Sequence, residues 1–101
     1  MSKIVNTLNN IKGRNCKNNT QKVALRLLRA EGKWLSRREL EASVKSATSR
    51  VRDLRTDRYG RFTVDCVHAS DLNKQGDSFY YRINPSKVTK QSLKTVFGTL
   101  I

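Results

Sequence analysis

The chain has 101 residues, 37% of them hydrophobic, with a single proline, which is enough for one domain with a modest core and too apolar for a disordered chain. Lysine and arginine number 21 against 8 aspartate and glutamate, for a net charge of +13, and solubility alone does not need so large an excess, so a polyanionic partner is expected. No window approaches the ~18 apolar residues of a membrane span, and the N-terminus has no apolar core of a signal peptide, so a cytoplasmic location and no membrane partner are expected. The two cysteines, Cys16 and Cys66, make no framework and are expected as free thiols. The charge is uneven: residues 62–84, where Asp65, Asp71 and Asp77 face Lys74 and Arg82, are the one stretch without a basic excess.

Residues 1–19 are rich in asparagine and basic. Ile4, Leu8 and Ile11 can line one side of a weak helix, but six asparagines and Gly13 argue against its stability. From Lys12 onward the stretch reads as a flexible basic arm, with Lys12, Arg14 and Lys17 able to follow a phosphate backbone or enter a minor groove. A frayed terminus without a role fits the same residues. Thr20 has the form of an N-cap for a helix reaching about Glu31, with Val23, Ala24, Leu27 and Leu28 as its buried stripe. Gly32 is expected to end it in a left-handed conformation. Trp34, in a short extended link, is expected to pack in the core beside this helix.

Ser36 to Thr56, SRRELEASVKSATSRVRDLRT, reads as two short helices joined by a tight turn. Ser36 with Glu39 three residues on is a capping box. Leu40 and Val44 share one face of the first helix. Ser46 is the expected N-cap of the second. Ala47, Val51 and Leu54 recur at i, i+4 and i+7 as its buried stripe. Helical turning then places Ser49, Arg52 and Thr56 opposite, with Thr48 and Asp53 flanking and Arg50 and Arg55 toward the edges. A narrow apolar stripe under an outer face of Ser, Thr and Arg suits a major-groove reader, because arginine forks onto guanine or phosphate and hydroxyls bond either. A solvated basic face accounts for the same pattern.

The period then changes from helical to alternating. Tyr59-Gly60 is a turn. Arg61 to Val67 alternates with Phe62, Val64 and Cys66 on one face, and Ser78 to Ile83 with Phe79, Tyr81 and Ile83 on one face. The segment between them is too long for a two-residue turn and is expected as a mobile polar loop with Lys74, Gln75 and Gly76 near its tip. After Pro85, the spacing of Leu93, Val96, Phe97 and Leu100 predicts an amphipathic helix of about two turns. Its stripe either packs on the parent core, the preferred reading, or meets its own copy in a homodimer.

The expected fold is therefore α+β: a basic N-terminal arm (1–19), a three-helix and hairpin domain (20–84) and a short C-terminal amphipathic helix (85–101). Over residues 20–84 the sequence resembles the small winged helix-turn-helix proteins of bacteriophages and mobile elements. The resemblance rests on TQKVALRLLRAEGKWLSRRELEASVKSATSRVRDLRTDRYGRFTV followed by FYYRI, with the RVRDLR and YG run as its most telling part. It implies that the helix from Ser46 to Thr56, with Thr48, Ser49, Arg50, Arg52 and Arg55, enters the major groove. It implies that the hairpin from Arg61 to Ile83 is a wing touching minor groove or backbone through Lys74 and Gln75, and that Ser36, Arg37 and Arg38 contact phosphates. The long loop with Asp71 and Asp77 and the two terminal extensions depart from the simplest plan of that family.

No catalytic constellation is visible. Cys66 and His68 are a pair without the further ligands a structural zinc site needs. Asp53 and Asp57 sit among arginines that explain them as ion pairs better than as magnesium ligands. No Gly-rich phosphate loop is present. A cofactor, a metal and an enzymatic activity are not expected. The first functional expectation is a double-stranded DNA-binding transcriptional regulator of phage type, acting in a host cytoplasm. The second is an adaptor that docks on host machinery such as RNA polymerase or a defence complex, favoured if the Leu93 to Leu100 face is exposed. The third is RNA binding, for which base-stacking aromatics would have to come from Tyr80 or Tyr59.

Overall fold

The computed structural model describes residues 8, 11–12 and 15–98. Among these it is α+β, with four α-helices and one three-stranded antiparallel sheet. In chain order the elements are α1 (Asn19–Arg29), β1 (Leu35–Ser36), α2 (Arg37–Ser43), α3 (Ala47–Leu54), β2 (Val64–His68), β3 (Phe79–Ile83) and α4 (Lys90–Phe97). The arrangement is compatible with a winged-helix-like one.

Helix α1 is the element on which the others pack. It starts two residues earlier than expected, because Asn18 rather than Thr20 caps it: the Asn18 side chain accepts from the Gln21 N–H at 2.9 Å. Thr20 lies in the first turn, buried, and its hydroxyl donates to Asp53 on α3 at 3.4 Å. Besides the expected Val23, Ala24, Leu27 and Leu28, Leu25 and Gln21 are buried, so α1 is covered on more than one side. The Gln21 amide donates to the Val96 carbonyl of α4 at 2.9 Å and accepts from the Lys17 N–H at 2.6 Å. Leu8 and Ile11 join the same core, and the Arg29 guanidinium donates to the carbonyls of both. Two of the three residues on the expected apolar side of the N-terminal stretch are thus part of the core, and Ile4 lies outside the described residues. Past α1 both Glu31 and Gly32 are left-handed, so glutamate takes the first of the two positions that end the helix.

The capping box of α2 is present, with the Ser36 hydroxyl accepting from the Glu39 N–H at 3.0 Å and the Glu39 carboxylate accepting from the Ser36 N–H at 3.4 Å. The chain turns at Lys45 and Ser46 into α3, which buries Ala47, Val51 and Leu54 as the spacing predicts. Gly60, at φ 101°, then brings the chain back; a Cβ there would lie 2.7 Å from the Ser92 carbonyl oxygen of α4.

The sheet order is β1–β3–β2, with Leu35 opposite Tyr81, and Val64 through His68 opposite Ile83 through Phe79. The hairpin strands start later than expected, at Val64 and Phe79. The core face of the sheet holds Leu35, Val64, Tyr81 and Ile83. Cys66 and Phe79 correct the expected core face: Cys66 is exposed, and Phe79 is 45% exposed. Alternation sets which side a residue faces, but not how far the core beneath extends, and the hairpin runs past it. The loop also has more structure than expected. Ala69–Leu72 forms a 3-10 turn capped by His68 and Asp71, and Ala69 is buried. Trp34 is half-buried, with the Arg82 guanidinium 4.4 Å from its ring centre, instead of in the core.

Helix α4 buries Leu93, Val96 and Phe97 in the chain's own core. Burial is worth about 1.5–3 kcal/mol for a large apolar side chain. These three residues are therefore unavailable as the homodimer seam considered above, and Leu100 lies outside the described residues.

Candidate nucleic-acid interface

The geometry sorts the sequence-predicted residues into three groups. In the first, Ser46, Thr48 and Ser49 at the start of α3 meet Arg37 and Glu41 of α2 and Lys45 of the turn around an open groove of about 450 Å³. Arg52, exposed one turn along α3, has no ion-pair partner among the described residues. Arg38, Lys74 and Gln75 are exposed as well. Lys12 and Lys17 are exposed, while Arg14 lies outside the described residues.

The second group is reachable but engaged. Arg37 donates to Glu41 at 2.9 Å, and that hydrogen bond with the adjoining negative charge raises the guanidinium above its ordinary range. Arg61 sits 2.7 Å from Asp57, with both side chains more than three-quarters exposed. Such exposed pairs are worth ~0–1 kcal/mol and yield readily to a phosphate. Arg50 lies 3.3 Å from Asp53 and is half-buried, leaning along α3 rather than away from it. Lys74 holds its ammonium 4.9 Å from the Tyr80 ring centre.

The third group makes bonds within the fold. Ser36 is only 8% exposed and its hydroxyl serves the capping box. Arg55 donates to the Val64 carbonyl at 2.8 Å and so ties the end of α3 to β2. The Thr56 hydroxyl donates to the Asp53 carbonyl at 2.6 Å, closing the last turn of α3. Thr56 is exposed, as helical phase makes it, but it lies beyond α3, which ends at Leu54. Ser46 keeps its place before α3 and loses its expected role. At φ 58° it is left-handed and its side chain makes no cap bond, so the hydroxyl is left facing the groove.

Lys45 and Glu41 are groove residues that the sequence reading did not single out. The signal for Lys45 was its place in the turn between two helices, where a side chain belongs to neither stripe. The groove carries Arg37 and Lys45 against Glu41, with three hydroxyls between them. That set can hold a phosphate by charge and offers hydroxyl donors and acceptors to a base edge.

No family model matches this chain, and no curated protein or solved structure shows significant similarity to it.

Proposed function

We propose that the chain is a winged helix-turn-helix protein of the bacteriophage or mobile-element kind that binds double-stranded DNA as a transcriptional regulator in its host's cytoplasm. In this reading α3 lies in the major groove. Thr48, Ser49 and Arg52 face base edges, and Arg37, Arg38, Lys45 and Arg61 face the flanking phosphates. The hairpin β2–β3 is the wing, with Gln75 and Lys74 at its tip. Residues 20–84 form the winged domain, and Leu8, Ile11 and α4 pack on it.

The observation that carries this reading is the division of labour on α3. Its apolar stripe is wholly buried, while the opposite side presents Thr48, Ser49 and an exposed Arg52 without an ion-pair partner among the described residues. A helix so anchored projects its polar side as one rigid row. The net charge of +13 supplies the affinity, since each phosphate neutralised releases counterions. The row of α3 side chains supplies the discrimination. One such helix reads few base pairs, so two copies on a two-fold site are expected, held together elsewhere than on the buried α4 stripe. The docking-adaptor alternative would have been favoured by an exposed stripe there, and it loses that support.

The test is affinity for a selected duplex. Arg52→Ala should cost ~1–3 kcal/mol on the selected site and relax one base position. An Arg52→Ala protein with unchanged affinity and unchanged preference would remove α3 from the interface.

A further inference from the structure

The two faces of the sheet differ in kind. Leu35, Val64, Tyr81 and Ile83 turn toward the core. Strand alternation sends their neighbours Trp34, Asp65, Tyr80 and Arg82 to the other side. There the Arg82 guanidinium covers Trp34 at 4.4 Å and bonds Asp65 at 3.0 Å, while the Lys74 ammonium covers Tyr80 at 4.9 Å. Close cation–ring pairs occur roughly once per 70–80 residues, so two on one small face are a concentration. Both aromatic rings on this face are covered by cations.

We propose that this face binds single-stranded nucleic acid, with bases stacking at Trp34 and Tyr80 and phosphates held by Arg82 and Lys74. Stacking platforms for single strands combine aromatic rings with cations that track the backbone, and bases also stack on arginine planes. The spacing fits, because residues two apart on β3, such as Tyr80 and Arg82, stand about 7 Å apart along the strand, a distance that a stretched sugar-phosphate unit spans. The charge is complementary: Arg82 and Lys74 stand against the single carboxylate Asp65, which leaves the face one net positive charge. Val67 is the one aliphatic side chain paired into this face, opposite Tyr80, which leaves little for an apolar partner. The site is separate from the α3 groove and does not depend on the duplex reading.

Trp34 is the only tryptophan of the chain, so its emission reports on this face directly. A 15-nucleotide oligo-dT and the matching oligo-U RNA should each be titrated into the full chain. The expected result is saturable quenching by at least one of them. Tyr80→Ala should weaken it roughly 5- to 100-fold, the loss that removing one stacked base contact brings. Tyr80→Phe should restore the affinity, showing that a stacking ring and not the fold is what was lost. Arg52→Ala should leave the quenching unchanged. The proposal is overturned if neither oligonucleotide changes the emission. It is also overturned if Arg52→Ala abolishes the quenching while Tyr80→Ala spares it, or if a poly-glutamate peptide quenches as well as the oligonucleotides do.

Discussion

Single side chains of the same type play different parts according to what they touch. Arg52 and Arg55 are three apart, yet Arg52 is unpaired among the described residues while Arg55 holds the Val64 carbonyl. Arg55→Ala should therefore lower thermal stability, whereas Arg52→Ala should leave the melting temperature in place and change DNA binding. Ser46 and Ser36 make a second contrast. Ser36→Ala removes a working cap and should cost ~1 kcal/mol in a denaturant melt. Ser46→Gly should raise stability by roughly 1 kcal/mol, because glycine occupies the left-handed region without the Cβ penalty. A Ser46→Gly protein no more stable than its parent would mean that the turn is not strained. Tyr81 supplies the pH dependence. Burial first, and the neighbouring Cys66 thiol second, raise its phenol above the ordinary value of 10.0. The folded state therefore favours the protonated phenol. That contribution is fully present below pH 10.0 and is lost as pH rises through the folded value. Tyr81→Phe should flatten the alkaline limb of a stability–pH profile.

Local elements were the most legible part of the sequence. The α2 capping box and the stripes of α1, α3 and α4 follow from spacing and side-chain chemistry within a few residues, and they are where those rules place them. What the sequence hid depends on distant partners. Gln21 reads as an ordinary polar residue until α4 brings the Val96 carbonyl to it. Trp34 reads as core until Arg82 is seen covering it. Of the candidate site, the outer α3 row was legible from phase, while the structural bonds of Ser36, Arg55 and Thr56 are hydrogen bonds that phase does not encode. The join between α3, its following turn and α4 is testable at Gly60. Gly60 and Gly76 are both left-handed, but a Cβ at Gly60 meets the Ser92 oxygen and the Phe62 ring, and one at Gly76 meets nothing within 4 Å. Gly76→Ala should show only the backbone cost, about 1–2 kcal/mol. Gly60→Ala should cost clearly more, since α4 must also shift. Equal melting temperatures for the two variants would mean that α4 is not seated against this turn.

For the whole molecule, the central claim is that a strongly basic, singly cored domain reads duplex DNA through α3. Charge alone makes a protein bind any polyanion, so affinity by itself does not distinguish reading from adhesion. The distinguishing quantity is preference among sequences when phosphate binding is weakened. The decisive measurement is selection from a random duplex library at about 150 mM salt. One short motif should be enriched, with two-fold symmetry if two copies bind, and one position of that motif should be lost when the selection is repeated with Arg52→Ala. Pools that stay random at that salt, with equal yield from both proteins, would contradict the claim.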